Sequence, residues 1–427
     1  MADDGCVACP TAVGQVVVND WTPVPIANGA VASRLTQHHL ERVSRCRFDL
    51  ATGYPSVSLE LTRRALAETA VVEGLAIGRG MPEPAEEVSE RLLQPLAELL
   101  GVPADLQDGS RTAPSGSAMI DRVMAAVGGL ARARKHSGVR AIIPEPGLDV
   151  PRSMVAERMG WELVVVQRPD RDENASSRVV CDAIASSRLD APEALIMVLL
   201  TSPENPTGEV WQLDDMKQIL DAVSECGGVL IVDHCFAIGG LQGTERPSLI
   251  WDVAPESKNW VGLWDSGKTF DLRDEKIGWA VSADQELSDA LDRALSVIQY
   301  RPQRRAVHLV GEVVGAPDVA HYLKELQLLC HANRESLLPL SEALGIPLPT
   351  ASWGTFAWLD LRGALYDDAA LCQSLLDRGV AVTPGSDFFA GSTARYVRVS
   401  LARDRDYFDS AVAEALSSER LGRATVL

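Results

Sequence analysis

Of the 40 cationic residues in this 427-residue chain, 34 are arginine and only six are lysine, at positions 135, 217, 258, 268, 276 and 324. So sparing a use of lysine directs attention to Lys268 and Lys276, which stand close together beside apolar segments. A lysine there has two chemistries open to it. As an ammonium it grips phosphate; as a free amine, with its pKa lowered by burial or neighbours, it attacks a carbonyl carbon. The stretch Gly262-Leu-Trp-Asp-Ser-Gly-Lys-Thr269 fits the G-x-x-x-x-G-K-[ST] pattern of a nucleotide phosphate loop. Such a loop needs small residues, so that its amides can wrap the phosphates, and a long helix directly after it. Trp264 and Asp265 lie inside this one, and the FDLRDEK segment that follows is too short for a crossover helix before the next apolar run. A phosphate-loop nucleotide hydrolase therefore stands only as an outside alternative.

Four other stretches carry groups able to serve an amine nucleophile. Asn205-Pro-Thr-Gly208 follows the apolar run ending at Leu200, Asp233 ends Val229-Leu-Ile-Val-Asp233, Arg398 lies in Tyr396-Val-Arg-Val-Ser400, and Ala113-Pro-Ser-Gly-Ser117 opens a helical segment. Taken singly, each has a plain structural reading: a turn, a helix cap, a surface charge, an N-cap. Taken together and in this order, over residues 48 to 415, they resemble fold-type I pyridoxal phosphate enzymes of the class I/II aminotransferase family.

That resemblance implies a role for each. Lys268 is the Schiff-base lysine. Asp233 pairs with the pyridine nitrogen so that the ring can accept electrons from a carbanion at Cα, and Asn205 donates to the ring's 3-oxygen. Arg398 takes the substrate carboxylate in a bidentate fork that lysine cannot copy. Ser115, Gly116 and Ser117 present amides and hydroxyls to the phosphate, with Ser266 beside Lys268 and with Lys276 where the family usually has an arginine. Tyr54, in the Gly53-Tyr-Pro55 turn, is a candidate substrate contact, and His234 either supports the ring or packs.

The sequence departs from the family pattern at several points. Leu148, in Glu145-Pro-Gly-Leu148, replaces the aromatic that stacks on the ring. Phe236 replaces a tyrosine that bonds the 3-oxygen, so the imine is expected to titrate high. The tyrosine lent to the phosphate by a partner subunit is not evident in Gly78-Arg-Gly-Met81, and Asp265 replaces a common hydroxyl. Phe236, Lys276 and the Asp265-Ser-Gly-Lys268 pattern together resemble the divergent natural-product branch that includes oxygen-using arginine oxidases. The expected activity is transformation of an amino acid through an external aldimine and a Cα carbanion. Transamination is the first reading. A lyase, a β/γ-replacement enzyme, or an oxidase or decarboxylase of a biosynthetic pathway is the alternative, and a catalytically silent scaffold is the bland one.

The elements that must position these groups are legible in outline. Short apolar runs at Ala141–Ile143, Trp161–Val166, Ala194–Leu200, Val229–Val232, Trp260–Leu263 and Ile277–Val281 alternate with helical segments at 117–134, 150–159, 176–188, 212–226 and 284–298. That alternation predicts an α/β fold: a mostly parallel sheet covered by helices, plus a smaller α+β domain after a boundary near 305–315. The expected division is an N-terminal segment at 1–75 serving the small domain and cleft, a large cofactor domain at 76–310, and a small C-terminal domain at 311–427. Asp plus Glu outnumber Lys plus Arg by 59 to 40, and the net charge of −19 argues against a nucleic-acid partner or an anionic membrane surface. With no long apolar span and no basic leader, the expectation is a cytoplasmic enzyme with an amino acid as its small-molecule substrate. The family implies a homodimer with its site at the subunit interface. Cys6-x-x-Cys9 lacks a second ligand pair, so no metal is expected and the eight cysteines read as reduced thiols.

Overall fold

The computed structural model describes residues 16–17, 24–25, 31–32, 34–57, 61–62, 64–65, 89–168, 173–237, 247–253, 257–272, 275–298, 304–350, 353–390 and 394–417. Eight strands make the central sheet: β1 (Val16–Val17), β2 (Arg111–Ala113), β3 (Gly138–Glu145), β4 (Glu162–Gln167), β5 (Ala194–Thr201), β6 (Val229–Asp233), β7 (Trp260–Asp265) and β8 (Gly278–Ser282). Their order is β1-β4-β3-β5-β6-β7-β8-β2. The run β4-β3-β5-β6-β7 is parallel throughout, while β1 joins β4, and β8 joins β7 and β2, antiparallel.

Continuous apolar runs make these strands because both of their faces are covered. Neighbouring residues along a strand feed opposite cores. Ile142, Val164, Ile196, Val198, Leu230 and Val232 face the core that takes up Val180 and Ile184 of helix Glu173–Asp190 and Met216 and Ile219 of helix Leu213–Glu225. Ala141, Ile143, Val165, Met197, Leu199 and Ile231 face the core filled by helices Gly116–Ala133 and Gln285–Ile298. The helical segment expected at 150–159 is split, with an α-turn at Asp149–Ser153 running into a π-turn at Met154–Arg158.

A second sheet holds β9 (Phe356–Asp360), β10 (Thr383–Pro384) and β11 (Tyr396–Ser400) in the order β9-β11-β10, all antiparallel. Beside it Phe48–Asp49 pairs parallel with Val380–Ala381, which ties the chain around residue 50 to the late part of the sequence. Helix Arg304–Val314 occupies the stretch where the sequence places a change of rhythm. Among the described residues no helix is long and apolar enough to cross a membrane. Cys46, Cys181, Cys226, Cys235, Cys330 and Cys372 are free thiols, whereas Cys6, Cys9 and the segment 78–81 lie outside the described residues.

Candidate active site

The parallel strands all end on one edge of the sheet, where open α/β sheets bind ligands. Asp233 is the last residue of β6, pairing in register with Thr201 at the end of β5 and with Leu263 of β7. Asp265 is the last residue of β7, opposite Gly278, and Gly278 in turn pairs with Ala113. Asn205 follows β5, Lys268 follows β7, and the turn at Ser115 follows β2, so one edge collects them all.

Both glycines of the phosphate-loop pattern have packing reasons. Gly262 lies in mid-strand, and a Cβ there would come within 2.7 Å of the Trp251 ring. A Cβ on Gly267 would stand 3.0 Å from the Lys276 side chain, which passes over it. After Lys268 the described residues up to Gly278 are turn and coil, and the next strand runs antiparallel. The helix required by a nucleotide loop is replaced by a 3-10 turn at Ser266–Lys268, held by the Asp265 carboxylate accepting from the Gly267 amide at 2.8 Å. Ser266 is fully buried; its amide donates to the Ile277 carbonyl and its hydroxyl accepts from the Ile277 amide.

Tyr54 links the two lysines. Lys268 Nζ lies 3.7 Å from the centre of its ring, and Lys276 Nζ donates to its hydroxyl at 3.0 Å. The tyrosine read as a substrate contact is thus also the residue that spaces the amine from the second cation. Its turn is anchored by Arg403, which donates to the carbonyls of Asp49, Thr52 and Tyr54.

Arg398 is 4 % exposed, lying between Phe356 and Phe388 at 4.3 and 5.0 Å from their ring centres. Nη1 donates to Asn205 Oδ1 at 2.7 Å and Nη2 to the Ala51 carbonyl at 2.6 Å. Nε is buried without a hydrogen-bond partner among the described residues. Burial pulls the guanidinium down to about 9, still cationic at neutral pH. Because the Asn205 oxygen is engaged by Arg398, its amide NH2 is the group turned away from the arginine, as a donor. Burial also raises the Asp233 carboxyl, and nearby Asp265 adds to that rise, against hydrogen bonds from Cys235 and the positive charge of Lys268. Desolvated acids of this kind favour a cationic N–H partner.

Phe236 packs edge-on against Phe356 at 5.1 Å, beside the Arg398 sandwich. Leu148 stands half-buried at the N-cap of the Asp149–Ser153 turn. Both ring nitrogens of His234 are engaged by backbone, Nδ1 toward the Ser202 carbonyl at 2.7 Å and Nε2 accepting from the Ile250 amide at 3.1 Å, so this histidine is a packing residue. Ser115 caps its helix by accepting from the Ala118 amide at 3.1 Å, Ser117 is exposed, and the Gly116 amide is occupied: it donates to Asp265 Oδ2 at 2.6 Å. The turn expected to face a ligand phosphate with all its amides therefore shares one with an acid of the chain itself.

Three groups near the site gave no signal in the sequence. Arg403 is one arginine among many. His39, 3.2 Å from Thr52 Oγ1 and held below its ordinary value chiefly by burial, comes from a helix with no motif. Glu204 fixes the Asn205 turn by accepting from Thr207 of the same turn and from Arg168, a partner 36 residues away that only the fold brings to it.

A family profile, Aminotransferase class I and II, matches residues 152–414, more than half of the chain. "Histidinol-phosphate aminotransferase 1" of Mesorhizobium japonicum is 27 % identical over 245 residues, covering 57 % of this chain and 62 % of that protein. "Protein MalY" of Escherichia coli is 27 % identical over 244 residues, 55 % of this chain and 60 % of that one. The matched stretch thus spans about three fifths of these relatives' length. The crystal structure of an aminotransferase from Mycobacterium tuberculosis superposes with a TM-score of 0.74 at 20 % identity, covering 93 % of this chain and 98 % of that one.

Proposed function

The chain belongs to the class I and II aminotransferase family, and from that premise we propose that it is a pyridoxal phosphate-dependent aminotransferase acting on an amino acid. The observation that carries the reading is the grouping of Lys268, Asp233 and Asn205 on one sheet edge, with Arg398 of the second sheet bonded to Asn205 at 2.7 Å. The residues fit the cofactor on chemical grounds. Asp233 is a buried acid whose desolvation a pyridinium N–H would offset, Asn205 has an amide donor to give, and the buried Arg398 Nε–H awaits an acceptor.

When bound, pyridoxal phosphate supplies an aldehyde that condenses with an amine and a protonated ring that draws electrons from the carbon attached to that amine. The chain's own residues do the rest. Asp233 keeps the ring nitrogen protonated, and Asn205 donates toward the ring oxygen. Arg398, fixed by Asn205 and the Ala51 carbonyl, offers its Nε edge to the substrate carboxylate and so orients Cα. Lys268 Nζ, on the Tyr54 ring face, would be the amine that holds the cofactor's aldehyde and, when free, the base that moves the proton at Cα. Ser115, Gly116, Ser117, Ser266 and Lys276 would hold the phosphate, Leu148 and Phe236 would lie beside the ring, and Tyr54 would border the substrate.

We further assign residues 76–310 to the cofactor domain and 311–427 to the smaller one, and the working unit to a homodimer in the cytoplasm. Elimination, replacement, oxidation and decarboxylation share these core groups. Transamination is preferred because the relatives of similar sequence include an aminotransferase by name. The test is an absorbance scan of the protein incubated with pyridoxal phosphate. A visible imine band that borohydride abolishes and that Lys268→Ala lacks is expected, together with amino-group transfer to an added keto acid. If wild type gives no such band, the cofactor reading fails.

A further inference from the structure

The start of helix Gly116–Ala133 is where an anion would be held, because the first amides of a helix have no partner within it and the helix dipole favours negative charge there. In this chain that place already has an anion. Asp265, 2 % exposed, aims one carboxylate oxygen at the Gly116 amide, 2.6 Å away, and the other at the Gly267 amide, 2.8 Å away. Gly116 is shaped for it: a Cβ at that position would lie 2.8 Å from Asp265 Oδ2. The Ala118 amide is capped by Ser115 Oγ and the Met119 amide bonds the Ser115 carbonyl. Ser117 is the remaining early amide without such a bond among the described residues.

We propose that Asp265 is a resident anion that competes with the cofactor's phosphate for this helix terminus, so that the phosphate group contributes far less to cofactor binding than the turn would otherwise provide. The proposal rests on the pyridoxal phosphate reading. A phosphate seated at the Ser115–Ser117 turn meets a buried carboxylate on the Gly116 amide, and two anions sharing one donor repel where water does not screen them. The cations that face the pair are Lys268, on the turn that Asp265 itself holds, and Lys276, whose side chain packs over Gly267 and bonds Tyr54. Asp233 adds a second buried acid nearby. Binding is then carried mainly by the ring contacts and by Lys268, and the cofactor exchanges readily.

The experiment compares pyridoxal phosphate with unphosphorylated pyridoxal, titrated by the imine band to obtain a Kd for each in wild type, Asp265→Asn and Asp265→Ser. The carboxamide can still accept from the Gly267 amide, with its NH2 then facing the Gly116 amide as a second donor, so Asp265→Ser, which brings no such NH2, must give the same direction of change. Circular dichroism with thermal unfolding of the cofactor-free proteins checks that both variants are folded. The ratio of the two Kd values isolates the phosphate's share. Removing the carboxylate is expected to widen that ratio in favour of pyridoxal phosphate by about tenfold or more, the equivalent of one charge-assisted hydrogen bond. An unchanged or narrowed ratio in the folded Asp265→Asn protein overturns the proposal while leaving the cofactor reading intact. Absence of an imine band with either compound in wild type overturns both.

Discussion

Replacing Arg398 by lysine keeps a positive charge at the site and removes the fork, which makes it the sharpest probe of substrate recognition. Nη1 is committed to Asn205 at 2.7 Å and Nη2 to the Ala51 carbonyl at 2.6 Å, and the buried Nε–H lacks an acceptor among the described residues. A lysine has one nitrogen for all of these. If it stays on Asn205 and Ala51 it loses the carboxylate, and if it turns to the carboxylate it strands two buried acceptors. Either way about one charge-assisted bond to the substrate is lost, some 1.5–3 kcal/mol, or roughly 10- to 150-fold in kcat/KM. The assay compares an amino acid with its carboxamide, in wild type and in Arg398→Lys that still forms the visible band with pyridoxal phosphate. Wild type is expected to prefer the acid strongly, and the variant to lose most of that preference. Should the loaded variant discriminate acid from amide as wild type does, Arg398 does not hold the carboxylate.

Arg152→Met removes the partner of Glu145 from a pair that is almost fully buried, 3.2 Å apart, and thermal unfolding should report a loss of about 3–5 kcal/mol. The Glu145 carboxyl is pushed above its ordinary value by burial, against Arg152 and the Ala390 amide, so its contribution to stability is present at acid pH and lost as pH rises through that raised value. In Glu145→Gln this part of the pH dependence of unfolding should flatten, which denaturation at a series of pH values would reveal. Phe236→Tyr restores a donor near the ring oxygen and should lower the midpoint of the imine band in a pH titration; no shift would place that ring away from the cofactor. Arg403→Met should cost about 3 kcal/mol or more of stability through its lost backbone bonds, and should raise KM more than it lowers band intensity.

What the sequence disclosed about the site follows from what its chemistry demands of residue type. Asn205, Asp233 and Lys268 stand out because each ends an apolar run, and strand ends are where a parallel sheet places ligands; the sheet itself was legible because two-sided burial leaves continuous apolar runs. Tyr54 stands out in the sequence as a turn residue and a candidate substrate contact, but its position between Lys268 and Lys276 depends on a contact spanning 222 residues. Asp265 shows the limit most clearly. Its charge counted, with Trp264 and the missing helix, against a nucleotide loop, yet its partner Gly116 lies 149 residues earlier, and nothing local to either residue announces the pairing. His234 and Arg403 were equally opaque, since buried hydrogen bonds to backbone leave no pattern along the chain.

The anchoring of the Tyr54 turn by Arg403 has a bearing on biosynthesis. Arg403 donates to the Tyr54 carbonyl across 349 residues, and Phe48–Asp49 pairs with Val380–Ala381. A ribosome making this chain has exposed the Tyr54 turn long before the residues that shape it exist. The parallel sheet can assemble as its strands emerge, but the turn that borders Lys268 waits for nearly the whole polypeptide. Nascent chains arrested before residue 403 should therefore bury the sheet and still lack an ordered Tyr54, leaving the amine in place before the wall that confines it.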